Sequence, residues 1–390
     1  MTGVQTCALP ILYETLSLIH IPLNLYSTFL QPILKVLLPP SQASSSPETA
    51  LEGLTLDQKH GFLNISVTPI EVSIVCSTSW AKDIFDPAIK SLTRDQAKTV
   101  SVSKDSYGVL CVFSAGSDAG SRVVDLTSPL ALAGVPIFFI TTYYSDFILV
   151  PTKDRQSVVT ALLARGFECS EGSSYVAPGA LSHSRGPSQT SEQPPSTPPP
   201  SNVAELQKRT FDLLRKRSVT PYIDDGIHLI HCSGREEPRN GSGYSHRPHL
   251  SRANTGNGYR VSWFDKVDTK LYTCLVAALV SQPKFLSITL TEEDPPSLLI
   301  DKTLLNMFGD SLIGDTEADL VPIFLDLVNL PFEATGIVSG VAGKLVQEMR
   351  GMESAELSYL STARAGAVIL SSEKSIQALE ILKPLLAKEE

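Results

Sequence analysis

Apolar residues recur along the chain with two different periods, and the change from one period to the other marks its secondary structure. In "LYSTFLQPILKVLL" they fall at helical spacing at Leu25, Phe29, Ile33 and Leu37, and Pro32 predicts a kink. Two strands, Phe62–Val67 and Glu71–Ser77, then form a hairpin that turns at Thr68 and Pro69. A second helix, "SWAKDIFDPAIKSL", completes a first unit.

The same order of elements returns downstream. "YGVLCVFSA" reads as a buried strand, "GSRVVDLTSPLALAG" as a helix, "PIFFITTYYS" and "DFILVP" as paired strands, and "KDRQSVVTALLARGF" as a closing helix. A strand, a helix, two strands and a helix predict the ferredoxin-like βαββαβ plan.

The second half of the chain repeats this pattern. "ADLVPIFLDLV", "GIVSGVAGKLVQEM", "SAELSYLST", "AGAVILS" and "SEKSIQALEILKPLLA" give another strand, helix, two strands and helix. One constant offset aligns Thr142 with Thr362, Ile148 with Val368 and Leu162 with Leu382 without a gap, which favours internal duplication over a general likeness between βα units. "IHLIHCSG", "KLYTCLVAALVSQ", "FLSITLT" and "PSLLIDK" supply a degenerate further copy. The predicted fold class is therefore α+β, with tandem ferredoxin-like βαββαβ modules in four copies, two in each half.

Two polar stretches divide the chain. Residues 170–202, which include "SEQPPSTPPPSN", and residues 234–257 are too poor in apolar side chains to fold, so we predict a disordered linker and a disordered insertion. The predicted boundaries are 16–105 for the first module, 106–169 for the second, 203–317 for the third with its insertion, and 318–390 for the fourth.

The first residues are unusual. "MTGVQTCALPI" (Met1–Ile11) lacks the basic start of a signal peptide, and no nearby window is apolar enough to span a membrane. It resembles a translated sequencing adapter, so we expect residues 1–15 to be an artefact or an altered terminus and Met1–Ile11 to pack against nothing.

Composition narrows the function classes. The net charge of -9 and the pI near 5.4 argue against a surface for nucleic acid or anionic membrane. Outside the first residues there are five cysteines, Cys76, Cys111, Cys169, Cys232 and Cys274, with no CxxC pair. An odd number without paired spacing predicts reduced thiols and a cytoplasmic location, and no cofactor or metal is expected.

Catalytic signatures are missing from the sequence. We find no GxGxxG after a strand, no Walker loop, no HExxH and no GxSxG, so we predict that the protein is not an enzyme. His231 and Cys232 are adjacent on a predicted strand and face opposite sides, which predicts packed residues and not a catalytic pair. His246 and His249 lie in the predicted insertion.

One strand-to-helix junction has the composition of a binding loop. In "LPFEATGIVSGVAG", Gly336 and Gly340 leave backbone N–H groups bare at a helix start, which suits an anion such as an amino-acid carboxylate. The alternative is that these glycines only allow close packing of the helix.

The module order, with "TTYYSDFILVP" and "EATGIVSGVAGKL", resembles ACT domains, and more closely the CASTOR family of cytosolic arginine sensors of the TOR growth pathway. The resemblance implies a ligand between the second and fourth modules, held by backbone atoms of a strand and a loop, with the fourth module's hairpin alongside. The corresponding residues here are Val135, Pro136, Ile137, Thr335, Gly336, Ile337, Val338, Thr362 and Gly366. It also implies that Tyr143, Tyr144 and Asp146 contact a regulatory complex upstream of TOR, and we expect part of this cluster to be exposed.

The sequence departs from that family at two positions. Gly366 replaces the acidic residue that pairs with a guanidinium, and Pro136 replaces a serine. A cationic ligand would also meet Arg364, so we expect a neutral or acidic amino acid in preference to arginine.

Three interpretations stay open. The first is a non-catalytic regulatory protein that binds an amino acid and signals nutrient state to a protein partner, as a monomer or a homodimer. The second is an interaction scaffold with a degenerate pocket, and the third is a detached regulatory subunit of an amino-acid biosynthetic enzyme.

Overall fold

The computed structural model describes residues 7–10, 15–38, 61–113, 119–165, 167–169, 200–235, 269–291, 294–349 and 357–387. Almost all of the predicted linker and insertion lies outside the described residues, as do His246 and His249.

Short strands and longer helices alternate along the described chain. The strands are β1 (Cys7–Pro10), β2 (Leu16–Ile21), β3 (Phe62–Val67), β4 (Val72–Ser77), β5 (Ser101–Val102), β6 (Tyr107–Phe113), β7 (Phe138–Thr141), β8 (Asp146–Pro151), β9 (Glu168–Cys169), β10 (Pro221–Tyr222), β11 (Leu229–Gly234), β12 (Leu286–Thr291), β13 (Ser297–Asp301), β14 (Leu312–Gly314), β15 (Leu320–Asp326), β16 (Ser358–Ser361) and β17 (Ala365–Ser371). The helices are α1 (Tyr26–Leu37), α2 (Thr78–Trp80), α3 (Asp86–Lys90), α4 (Arg94–Thr99), α5 (Ala119–Leu132), α6 (Arg155–Leu163), α7 (Val203–Lys216), α8 (Thr269–Val280), α9 (Leu305–Phe308), α10 (Ile337–Glu348) and α11 (Ser372–Leu386), and a π-helical turn, Ala81–Phe85, joins α2 to α3.

The strands pair across the predicted modules. One row runs β2–β4–β3–β12–β13–β11 and combines strands of the first and third modules, and a second row, β6–β8–β7–β16–β17–β15, combines the second and fourth. All of these pairs are antiparallel. Single bridges, Leu16 with Tyr107 and Leu229 with Leu320, join the rows at both ends, so the ladder closes into a barrel-like sheet.

The pairing of β3 with β12 explains why the two halves of the chain are not independent. All six residues of β3 face residues of β12, from Phe62 opposite Thr291 to Val67 opposite Leu286. Each strand would otherwise leave an unpaired edge exposed, and the other covers it. Strands from both sides of the predicted linker therefore complete a single sheet.

Helices cover the outer faces of the two rows, and a separate core fills the space between them. Leu18, Phe62, Phe147, Phe324 and Ile369 belong to this inner core. The alternate residues of the same strands point outward, against α1 and α8 on the first row and against α5 and α10 on the second. Because both faces are buried, these strands read in the sequence as continuous apolar runs.

The expectation for the first residues was wrong at four positions. Cys7–Pro10 forms β1, which lies antiparallel to β6, with Cys7 opposite Phe113 and Pro10 opposite Leu110. It also pairs in parallel with β9. The physical reason is the edge of β6 opposite β8, which offers unpaired backbone groups to any extended segment that reaches it.

The four central hairpins share one turn. Thr68, Thr142, Thr291 and Thr362 each accept, through the hydroxyl oxygen, the backbone N–H three residues later, at 3.1, 3.2, 3.1 and 3.1 Å. A threonine in this role replaces part of the turn's backbone hydrogen bonding. The shared turn has a sequence signal, a threonine at the end of each strand or directly after it, which is visible in "TPIE", "TYYS", "TEED" and "TARA".

Helix α7, which the sequence analysis did not predict, packs against the glycine-rich side of α10. Gly336 has φ +81°, and a Cβ there would lie 2.6 Å from Leu206. A Cβ at Gly340 would lie 2.7 Å from Cγ2 of Thr210. These glycines therefore allow a close helix–helix approach, whereas the sequence alone suggested close packing on a strand or an anion site.

Gly340→Ala is expected to lower the free energy of unfolding by about 1–2 kcal/mol, since overpacking against Thr210 outweighs the helix preference of alanine. Gly343→Ala is the matched control. Its Cβ would lie 3.1 Å from the amide nitrogen at the far end of the Gln207 side chain and at an ordinary contact distance of 3.9 Å from Val124, so it should be neutral or stabilising. Urea unfolding of both variants checks this, and equal effects would contradict it.

Candidate functional site

A cavity opens between the second and fourth predicted modules. Its empty volume, open mouth included, is about 590 Å³. Helix α5, the start of β7, the segment from β15 into α10, and the β16–β17 hairpin form its walls. The lining residues that matter below are Ile137, Phe332, Gly336, Ile337, Val338, Tyr359, Thr362 and Arg364.

Tyr359 lines this cavity and carries a buried hydroxyl. The residue is 1% exposed, and its hydroxyl has no hydrogen-bond partner among the described residues. An unpaired polar group in this position costs free energy unless a ligand or water satisfies it. Tyr359 is therefore a ready hydrogen-bonding group for a bound molecule.

Arg364 brings a positive charge to the same cavity. Its guanidinium lies 3.9 Å from the centre of the Phe332 ring, and Nη1 donates to the Leu330 carbonyl at 2.9 Å. The guanidinium stacks on an aromatic face and meets one neutral acceptor, and no carboxylate among the described residues pairs with it. Glu333, which follows Phe332 in the sequence, is exposed and does not line the cavity.

The start of α10 forms one wall of the cavity. Gly336 is its N-cap residue and supplies no side-chain cap, while Ile337 and Val338 begin the first turn. Thr210 donates to the Gly336 carbonyl at 3.2 Å and fixes this end of the helix. Uncapped amides at a helix N-terminus favour a negatively charged group.

The structure brings together part of the predicted ligand set. Ile137, Gly336, Ile337, Val338 and Thr362 line the cavity. The other predicted ligand residues, Val135, Pro136, Thr335 and Gly366, lie beside it and do not line it.

The placement of Val135 and Gly366 has a physical cause. The Val135 side chain is buried in the helix–sheet core, and its N–H is donated to the Leu130 carbonyl. A Cβ on Gly366 would lie 2.6 Å from the Tyr359 hydroxyl oxygen, so that hydroxyl occupies the space of a side chain at 366. The expected room next to Gly366 is therefore filled by Tyr359.

A buried carboxylate holds the hairpin that carries Arg364. Glu71 of the first module is 0% exposed, and it accepts hydrogen bonds from the Thr362 hydroxyl at 2.5 Å and from the Arg364 backbone N–H at 2.6 Å. Its other oxygen lies 2.5 Å from Nδ1 of His20. Ser73 accepts the Ala363 N–H at 3.0 Å. The cavity wall is thus anchored to the opposite row of strands.

The predicted partner-binding cluster is divided between surface and interior. Tyr144 is 48% exposed, and Tyr143 is half-buried and packs edge-on against both Tyr144 and His231. Asp146 is buried and pairs with Arg122, so it cannot reach a partner as the resemblance implies. Burial raises the pKa of Asp146 above its usual range, and Arg122 opposes that shift.

His231 and Cys232 occupy β11 as the sequence predicts. Burial raises the pKa of the Cys232 thiol to about 12 and lowers the pKa of His231 to about 4. A thiol with this pKa stays protonated at neutral pH and is a poor nucleophile. Cys76, Cys111, Cys232 and Cys274 are buried and form no disulfide.

Metal-binding clusters and membrane-spanning helices are both absent from the described ranges. These ranges contain no group of three His, Cys, Asp or Glu side chains placed to hold a metal ion. Among the helices described, none is long and apolar enough to cross a membrane.

Sequence reasoning missed Tyr359, Phe332 and Glu71. Tyr359 lies in "SAELSYLST", where strand alternation could not show which face meets the cavity. Glu71 did carry a signal, because an acidic residue inside the apolar run "PIEVSIVC" is expected only where hydrogen-bonding partners surround it.

An ACT domain is detected at residues 102–164. No curated protein sequence matches the chain. Similar solved structures include a protein from Agrobacterium tumefaciens. It is 18% identical, the match covers 44% of this chain and 96% of that chain, and the TM-score is 0.26. The regulatory subunit of aspartate kinase from Thermus thermophilus is 13% identical, over 42% of this chain and 97% of that chain, with a TM-score of 0.24.

Aspartate kinase from Synechocystis is also similar, at 11% identity over 100% of this chain, with a TM-score of 0.29. This chain covers 56% of that kinase. TM-scores this low are too weak to assign a fold or a function.

Proposed function

We propose that this chain, which carries an ACT domain at residues 102–164, is a non-catalytic regulatory protein that binds an amino acid in the cavity between its second and fourth modules. The proposal includes four ACT modules, a cytoplasmic location and a CASTOR-like role in which the bound state is passed to a protein complex of the TOR pathway. The shared threonine turn of the four hairpins supports the repeat.

The observation that carries the proposal is that Tyr359, whose hydroxyl has no partner among the described residues, and Arg364 line the same cavity. The Tyr359 hydroxyl and the uncapped start of α10 offer donors to the carboxylate that all amino acids share, and Arg364 is left for the side-chain end of the ligand. A pocket with apolar walls and a few convergent polar groups is the usual form of a small-molecule site.

Tyr359→Phe is expected to leave the free energy of unfolding unchanged or slightly higher, because no protein partner is lost. Amino-acid binding should weaken about tenfold, as the loss of one hydrogen bond predicts. Thermal-shift screening against the twenty amino acids identifies the ligand, and isothermal titration then compares wild type, Tyr359→Phe and Tyr272→Phe. Tyr272 lies on α8, in the core that covers the first row of strands and away from the cavity, so its variant should bind normally. Full affinity in Tyr359→Phe would refute this site.

Tyr144 is the residue we assign to partner binding. Tyr144→Ser should change the free energy of unfolding by less than about 0.5 kcal/mol, as expected for an exposed side chain. Capture of the purified complex upstream of TOR should fall at least tenfold, since exposed tyrosines are frequent anchors of interfaces. Ile376→Ser, which removes an exposed apolar side chain from α11, is the control. Unchanged capture by Tyr144→Ser, with the fold intact, contradicts the assignment.

An interaction scaffold with a degenerate pocket is the second candidate, and the half-buried, stacked position of Arg364 favours it, because that side chain takes up part of the cavity. The thermal-shift screen distinguishes an amino-acid-binding protein from such a scaffold. A scaffold would show no stabilisation by any amino acid, whereas a ligand at a hundred times its Kd adds about 2.7 kcal/mol.

A further inference from the structure

A second cavity lies between the first and third predicted modules, on the other row of strands. Its empty volume, open mouth included, is about 670 Å³. Val67, Thr68 and Pro69 of the β3–β4 hairpin form one wall, and Leu23, just before α1, forms another. Lys284, in the segment that enters β12, lies across from them.

The two cavities occupy equivalent positions in the fold. Each is lined by the start of a helix, by the beginning of the following hairpin, and by the segment that enters a strand of another module. The equivalence extends to single residues, because Thr68 and Thr362 are the turn threonines of their hairpins and each lines its own cavity. The arrangement of elements around the first cavity therefore recurs around the second.

The chemistry of the second cavity is different. Asp224 and Lys284 both line it, and a Cβ added at Gly226 would lie 3.3 Å from Oδ1 of Asp224 and 3.0 Å from Nζ of Lys284. A carboxylate and an ammonium thus converge on one rim. The facing wall is apolar, and Leu23 is 41% exposed there although its side chain is large.

We propose that this cavity is a second binding site, for a free α-amino acid with an apolar side chain. Asp224 receives the ligand ammonium, Lys284 receives its carboxylate, and the side chain packs against Leu23, Val67 and Pro69. Charge-assisted hydrogen bonds at both ends of the zwitterion provide the affinity. The site goes beyond the proposed function, which uses only the first cavity.

Titration of the full chain with L-leucine, L-methionine and L-valine tests the site. Asp224→Asn keeps Oδ1, which accepts the Gly226 N–H at 3.0 Å, and removes only the charge. It should weaken binding of the best of the three probes about tenfold to a hundredfold. Leu23→Trp fills the cavity from an exposed position and should abolish that binding event.

Tyr359→Phe distinguishes binding at the two cavities, because it alters only the first. In this variant the probe should still bind the second cavity with unchanged affinity. No binding of the three probes at millimolar concentration would overturn the second site, even if the first cavity binds another amino acid. Unchanged binding in both Asp224→Asn and Leu23→Trp would overturn it as well, since the ligand would then bind elsewhere.

Discussion

Replacing Glu71 with alanine is expected to lower the free energy of unfolding by about 3–5 kcal/mol, the range typical of breaking a buried, hydrogen-bonded charged group. The side chain is fully buried and receives the Thr362 hydroxyl, the Arg364 N–H and a ring nitrogen of His20. Alanine leaves all three without their acceptor, and each unsatisfied buried group adds its own desolvation cost. Urea unfolding of the variant measures the loss.

Two controls sharpen this experiment. Glu71→Gln keeps the volume and one acceptor oxygen, so about half of the loss is expected. Asp294 occupies the same place in another hairpin turn and receives the Ser145 hydroxyl at 2.7 Å, but it is only half-buried. Asp294→Ala should therefore cost about 1 kcal/mol. A Glu71→Ala variant no less stable than Asp294→Ala would show that burial of the carboxylate does not decide the effect.

Glu71 also links the first module to the first cavity. The β16–β17 turn, which carries Thr362 and Arg364, is held in place from the opposite row of strands. We therefore expect Glu71→Ala to weaken ligand binding at the first cavity, although Glu71 does not line it.

Periodicity predicted most individual elements of the fold but not how they pair. The helices at "LYSTFLQPILKVLL" and "KLYTCLVAALVSQ" and the strands at "FLNISV" and "FLSITLT" are present. The pairing of the latter two is a long-range contact that no local pattern specifies. Polar residues mark the pairing of these two otherwise apolar strands: Asn64 donates to Ser287 and Thr289, and Ser66 shares a hydrogen bond with Ser287. Buried polar groups of this kind can fix strand register.

Helix α7 was not predicted from the sequence, for a different reason. Its apolar positions, Leu206, Phe211 and Leu214, are spaced for one buried helical face, but the segment follows the polar linker directly. Composition therefore concealed a helix whose start is marked by Asn202, which accepts the Glu205 N–H at 2.9 Å.

The candidate site was located by family resemblance and only partly by residue chemistry. Backbone contributors such as Gly336 and Ile337 could be carried over because the helix start is marked by glycine. Tyr359 could not, since its role depends on the absence of a side chain at Gly366, its neighbour across the hairpin. The space next to a small residue such as Gly366 can be assigned only when the residues that surround it in the fold are known.

Arg364 is expected to decide which amino acids enter the first cavity. None of the described residues that line the cavity carries a carboxylate, and the charged side chain among them is this arginine. A bound arginine would bring a second guanidinium next to Arg364 without an anionic partner, which costs several kcal/mol. A neutral side chain avoids that cost, and an acidic one gains a charge-assisted pair. We therefore expect leucine, methionine or glutamate to bind at least tenfold more tightly than arginine.

Reversing the charge with Arg364→Glu should invert this order. Glutamate affinity is expected to fall about a hundredfold, because a bidentate attraction becomes a like-charge contact, while arginine affinity rises. Arg364→Gln, which removes the charge and keeps a hydrogen-bonding end, should be intermediate and should leave leucine binding nearly unchanged. Isothermal titration of the three proteins with glutamate, leucine and arginine gives the full comparison, and thermal unfolding without ligand controls for the lost contact with Phe332. Wild-type protein that binds arginine more tightly than leucine, methionine and glutamate would refute the electrostatic argument, because Arg364 would then have to leave the cavity when the ligand enters.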